Sequence, residues 1–175
     1  SNNSGQTVDL SSGLPVIFTD LQKAWITAIN IDINGSAISS STATRKSATC
    51  GLAAAFCLGA DGWNIYGAGI NNSGTHTYSS SGGTSYTAPQ ISGAVAILSQ
   101  AFPNHTPEQI VDRLLASANN TFFSTTANVT FANGVQHGYN TEFGHGFMDL
   151  YAALVPITSN NFSRSQVYTG RSIGS

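Results

Sequence analysis

The run Gly83-Thr84-Ser85-Tyr86-Thr87-Ala88-Pro89-Gln90-Ile91-Ser92-Gly93 sets one serine hydroxyl at a glycine-preceded turn that opens a helix. Beyond it, Ile91, Val95, Leu98 and Phe102 recur at three- and four-residue steps, so one stripe of that helix is apolar and packs inward. Ser85 therefore stands at the N-terminus of a buried helix. There the first backbone N–H groups lack intrahelical partners and the helix dipole is positive, so a developing oxyanion beside Ser85 meets ready donors. A serine at a helix start is commonly no more than a cap. Pro89 is expected in the first turn, where a missing N–H costs little.

Taken whole, G-T-S-x-x-A-P-x-x-S-G resembles the nucleophile motif of the subtilisin-like serine peptidases, the subtilases. The α/β-hydrolase pattern G-x-S-x-G does not fit, since Thr87 stands where its last glycine belongs. After Pro103, Thr106-Pro107-Glu108-Gln109 reads as an N-cap, a proline at the first helical position and a capping-box glutamine. A second helix follows, with Ile110, Leu114 and Leu115 on its inner face. The resemblance implies this same helix pair, then a glycine-rich turn into a last helix, for which Phe143 to Leu154 is the matching segment. Upstream, Trp25 to Ile31 is short, apolar and β-branched, and predicts a buried strand of a parallel sheet. The segment Ala60 to Gly67 is also similar to the family's, with Asp61 where proline is usual.

Ser1-Asn2-Asn3-Ser4-Gly5 resembles the segment carrying the oxyanion-hole asparagine, which places that role on Asn3; without the resemblance it reads as a solvated turn. Gly13-Leu14-Pro15 resembles the turn at the base of the pocket for the substrate side chain, so Gly13 is a candidate substrate-binding residue and Leu14-Pro15 a candidate cis bond. The departures Tyr86, Thr87 and Gln90 lie beside the nucleophile and bear on substrate preference.

A serine hydroxyl needs a base to take its proton. Neither the acids Asp9, Asp20, Asp32, Asp61, Asp112 and Asp149 nor the histidines lie in segments resembling the family's Asp and His motifs, which precede the asparagine segment. His76 and His145 are the local alternatives as a base, and both read more simply as loop histidines. His105 and His137 read as surface loop residues, and no zinc-ligand spacing appears.

The fold expected is α/β: about two strands and two or three helices with long Ser/Thr/Asn/Gly connections, the C-terminal half of a three-layer subtilisin-like fold with a mostly parallel sheet. Residues 1–154 would be the C-terminal part of the catalytic domain and residues 155–175 a tail or linker. The implied partner is an N-terminal part of the same protease carrying Asp and His, whether nicked or separately cut, and the implied substrates are proteins or peptides.

Six basic and eight acidic residues give a net charge of −2 with no basic stripe, which argues against a nucleic-acid partner. No apolar stretch reaches the roughly 18 to 20 residues of a membrane span. Cys50 and Cys57 are the only cysteines, and C-x6-C spacing fits either a disulfide or two buried thiols. The surrounding run, from Lys23 to Leu58, is similar to subtilases exported by the autotransporter route in Gram-negative bacteria, which have a disulfide at this place; that implies an oxidising, extracellular or cell-surface setting. No cofactor is implied, and structural calcium is compatible with the chain without being specified by it. The function expected is a serine endopeptidase acting through an acyl-enzyme on Ser85. The alternative is a catalytically inactive subtilase-like surface or passenger module.

Overall fold

The computed structural model describes residues 7–132 and 134–155; Asn3 and residues 156–175 lie outside the described residues. In chain order the regular elements are β1 (Thr27–Ile33), β2 (Ala43–Arg45), β3 (Cys57–Ala60), β4 (Ile65–Ile70), β5 (His76–Ser81), α1 (Thr84–Ala101), α2 (Pro107–Ala116), β6 (Ala127–Thr130), β7 (Gln136–Tyr139) and α3 (Leu150–Leu154), with short 3-10 turns at Leu14–Val16, Thr19–Ala24 and Gly51–Phe56. The expected buried strand is β1, and it pairs in parallel with β3 from Thr27↔Cys57 to Asn30↔Ala60, while β2 pairs antiparallel beyond Ile31. The outer edge of β3 is continued by the segment after β7: Gly59 donates to the Gly146 carbonyl at 2.8 Å and accepts from the Met148 N–H at 2.7 Å.

Side chains alternate across this sheet, as the period of two requires. Ala28, Leu58 and Ala60 face α1 and α2, packing on Ile91, Leu98, Ile110 and Leu114. Ile29, Ile31 and Cys57 face the other way, onto Phe122, Phe123, Phe143 and Phe147. Two apolar layers on one small sheet give the α/β sandwich predicted, with α1 and α2 on one side.

Helix α1 buries Ile91, Ala94 and Leu98, as its sequence stripe requires. Its exposed side carries the small or apolar residues Ala88, Gly93, Ala96 and Ile97, Ile97 exposed to 46%, among the polar Gln90, Ser92, Ser99 and Gln100. Pro89 lies in the second turn, five residues into a helix that starts at Thr84, so the expectation of a first-turn proline is corrected. Lacking an N–H, it leaves the Ser85 carbonyl without the usual donor four residues on.

Helix α2 begins as its sequence dictates. The Thr106 hydroxyl accepts from the Gln109 N–H at 3.3 Å, and the Gln109 side chain accepts from the Thr106 N–H at 2.8 Å. Thr106→Ala removes one half of this box and is expected to lower stability by about 1 kcal/mol, read as a shift in the urea midpoint at unchanged slope.

Two expectations are corrected. The Leu14–Pro15 bond is trans, as is every described peptide bond, and Pro15 sits in the first turn of a 3-10 helix where its fixed φ suits the turn. The Ser/Thr/Gly-rich stretches are not plain connections: β4 pairs with β5 and β6 with β7 as antiparallel hairpins. As expected, Phe143 to Leu154 turns through Gly144 and Gly146 into a last helix, α3, five residues long and capped by the Asp149 carboxylate at the Ala152 N–H, 2.8 Å away. Cys50 and Cys57 form a disulfide, Cα atoms 6.0 Å apart, both fully buried. No helix among the described residues is long and apolar enough to cross a membrane.

Candidate active site

The turn that presents Ser85 is held from beneath by the C-terminal ends of β1 and β3. Asn30, fully buried on β1, binds Gly62 twice: its side-chain NH2 donates to the Gly62 carbonyl at 3.0 Å, and its side-chain oxygen accepts from the Gly62 N–H at 2.9 Å. The same Gly62 carbonyl accepts the Gly83 N–H at 2.8 Å. Gly83 is the N-cap of α1, with φ +145°, a backbone that side chains rarely adopt. Gly62 is required for space, since a Cβ there would lie 2.5 Å from the Thr87 hydroxyl and 2.6 Å from the Gly83 carbonyl oxygen.

Asp61 stands where the resemblance anticipates proline, and the turn is kept tight by other means. Its carboxylate accepts the Trp63 N–H at 2.9 Å, and its carbonyl accepts from the Gln90 side chain. Trp63 then packs over Gly82, with the Lys46 ammonium 4.8 Å above its ring.

Ser85 emerges exposed in the first turn of the 18-residue α1. Its hydroxyl makes no hydrogen bond among the described residues, and neither does its N–H, while the next N–H, of Tyr86, is taken by the Gly83 carbonyl at 3.0 Å. An exposed hydroxyl beside an unoccupied N–H at a helix N-terminus is a place where a carbonyl carbon can be attacked and the resulting oxyanion held.

The described histidines do not complete it. His76 opens β5 at the far end of the hairpin from Ser81, five strand steps or about 17 Å away. His105 lies against Phe102 at the entrance to α2. The expectation that His137 and His145 are loop histidines is corrected: both are buried, at 4% and 0% exposure, and each ring nitrogen is hydrogen-bonded within the core. Sequence reasoning missed this pair because a histidine beside glycine carries no burial signal of its own. Among the described residues no cluster of three or more His, Cys, Asp or Glu is gathered as a metal site.

Gly13 is buried in a turn closed by its N–H to the Asp9 carbonyl at 2.9 Å, and this turn is tied to β1 by the Thr27 hydroxyl, which donates to the Ser12 carbonyl at 2.6 Å. The Ser11 hydroxyl and Ser12 N–H hydrogen-bond the Asp9 carboxylate and hold it down at about 2.

Solved structures that match include fervidolysin from Fervidobacterium pennivorans, a keratinolytic enzyme related to subtilisin, at 27% identity and a TM-score of 0.50, covering 75% of this chain and 19% of that one. MycP1 from Mycobacterium smegmatis matches at 24% and 0.50, covering 86% and 34%. MycP1 from the ESX-1 type VII secretion system matches at 22% and 0.51, covering 94% and 41%. The chain thus spans well under half the length of these three structures. No curated protein sequence matches it. The family model that matches is that of the subtilase family, peptidase S8, over residues 1–146. With the helix-borne serine, the parallel β1–β3 pair beneath it and a family match across most of its length, the chain belongs to the subtilase family.

Proposed function

We propose that this chain is the nucleophile-bearing part of a serine endopeptidase. Ser85 attacks the scissile carbonyl. A histidine from a preceding part of the same protease takes the Ser85 proton and returns it to the leaving amine, and an aspartate there orients that histidine. The Ser85 N–H and the Asn3 side-chain amide hold the oxyanion of the tetrahedral intermediate, which collapses to an acyl-enzyme that water then hydrolyses. Gly13 is the proposed base of the pocket for the side chain before the scissile bond. The single observation that carries the proposal is Ser85 itself, exposed at the α1 N-terminus on a turn fixed by Asn30 and Gly62.

Two features support a further part of the catalytic domain as partner. One is the exposed apolar patch of Ala88, Ala96 and Ile97 on α1. The other is a groove of about 460 Å³ between β1, α1 and α2, lined by Ala28, Ala88, Ile91, Val95, Ile110 and Val111. Both are surfaces that a three-layer sandwich covers. The buried Cys50–Cys57 bridge, within the stretch resembling autotransporter-exported subtilases, supports an extracellular or cell-surface location.

The test is hydrolysis of an unstructured protein. The protease including its His- and Asp-bearing segment is expected to cleave it, and these 175 residues alone are expected not to. Folded longer protein without activity favours the inactive passenger module instead. In the active protein Asn3→Ala is expected to lower kcat by about 10²–10³ with little change in KM, because an oxyanion donor acts in the transition state and not on the bound substrate.

A further inference from the structure

His137 on β7 and His145, eight residues on, face each other with Nδ1 atoms 2.8 Å apart and rings stacked at 29°. The outer nitrogen of each meets a backbone carbonyl: His137 Nε2 the Ala118 carbonyl beyond α2, and His145 Nε2 the Ala55 carbonyl inside the disulfide loop, both at 3.0 Å. A carbonyl only accepts, so both Nε2 atoms must carry hydrogen. The Nδ1···Nδ1 contact needs one hydrogen more. Three hydrogens on two rings is one more than two neutral imidazoles possess, and a fourth would set two N–H groups head to head.

We propose that His137 and His145 are an acid-sensitive clasp that shares a single added proton across Nδ1···Nδ1 and opens when acid adds a second. The clasp joins three segments: the end of α2, the disulfide loop and the stretch that flanks β3. Its opening reaches the nucleophile turn, because the His145 N–H is bonded to the Cys57 carbonyl at the start of β3, and β3 leads directly to Gly62.

Among the described residues no carboxylate is hydrogen-bonded to either ring. Phe131 and Tyr139 pack on His145, and Tyr139 is the one titratable group of β7 besides His137. Strand β6 has no titratable side chain, and the disulfide loop has only the two bonded cysteines. Glu142 turns outward to Arg45. Helix α2 brings Arg113, bound to the Ala153 and Val155 carbonyls, and Asp112. Burial, then the neighbouring His137, push His145 down to about 3, and burial lowers His137 against the opposing pull of Ala118.

The sign follows. Unfolded, both histidines protonate near 6.5. The folded pair holds one added proton while the unfolded chain approaches two, so from about pH 5.5 down towards 3 the unfolded chain holds about one proton more than the folded one, and this pair's contribution to stability is lost as pH falls, by about tenfold in the folding equilibrium per pH unit. Asp112 acts oppositely, because burial and then Glu108 raise it to about 6, and His105, lowered by burial and then Arg113, acts in the same direction as the pair. The test therefore uses an Asp112→Asn/His105→Gln background between pH 4.5 and 5.5, with unfolding followed in urea. Nitrogen-15 histidine NMR on the same protein, with His76→Gln to remove the exposed ring, counts the hydrogens. Expected are two Nε2–H groups, one downfield hydrogen shared by the Nδ1 atoms, and the tenfold slope. Two fully protonated rings in the folded protein at pH 4.5, two bare Nδ1 atoms at pH 5, or a flat stability profile each overturns the proposal. None of these readouts depends on Ser85.

Discussion

Ser85→Ala is expected to abolish peptide hydrolysis by the assembled protease, lowering kcat by about 10⁶, the scale of loss when the nucleophile of a subtilisin-type triad is removed. Folding is expected to be untouched, because the Ser85 hydroxyl is exposed and supports nothing around it among the described residues. Alanine is also a good helix former, so α1 keeps its first turn. The two halves of this result separate catalysis from structure. Lost activity with an unchanged urea midpoint is expected, whereas a lost midpoint would make Ser85 a structural cap. Ser85→Cys places a thiolate-forming group on the same turn, but its longer C–S bond and larger sulfur move the attacked carbonyl away from the oxyanion donors, so hydrolysis is expected to stay far below the parent rate.

Asn30→Ala is expected to be the most disruptive single change away from the nucleophile. The side chain is fully buried, and truncation leaves the Gly62 N–H without its acceptor and removes one of two donors from the Gly62 carbonyl. An orphaned buried backbone group costs about 1–3 kcal/mol, and the cavity adds to it, so a loss of about 2–4 kcal/mol is expected. Activity falls with it, since Gly62 holds Gly83 and Gly83 aims Ser85. Asn30→Asp sharpens the test. A buried carboxylate facing the Gly62 carbonyl is repelled, so its pKa rises; protonated, it regains a donor. The deficit of this variant is therefore expected to shrink as pH falls, measured against Asn30→Ala at each pH.

Much of this site is legible in the sequence because local chemistry and tertiary packing agree there. The apolar steps Ile91, Leu98 and Phe102 mark the buried face of α1, and Thr106 to Gln109 spell out a capping box that forms as written. Strand β1 is a β-branched run whose two faces both find apolar partners. Where the sequence misleads, the determinant is non-local. The β4–β5 hairpin pairs Ile, Tyr, Gly and Ala of β4 with the mostly polar β5, and is held by its register and the Tyr66–Tyr78 stack rather than by an alternating apolar pattern on both strands. Burial of His137 and His145 depends on carbonyls from Ala118 and Ala55, which no spacing rule connects to them. Asn30 sits one residue inside an apolar strand, and its role appears only when Gly62, thirty-two residues later, is brought against it. The trans Leu14–Pro15 bond shows the limit of carrying a turn over by resemblance when the turn here is a 3-10 helix.

The central claim is that Ser85 is a nucleophile activated by a histidine supplied from outside the described residues. Fluorophosphonate labelling followed by intact mass and peptide mapping tests it most directly, because the reagent modifies a serine only when a base has raised its reactivity. One adduct on Ser85 is predicted in the protease with its Asp- and His-bearing segment, and none after Ser85→Ala. Folded protease that takes no adduct, or takes it on another residue, contradicts the account.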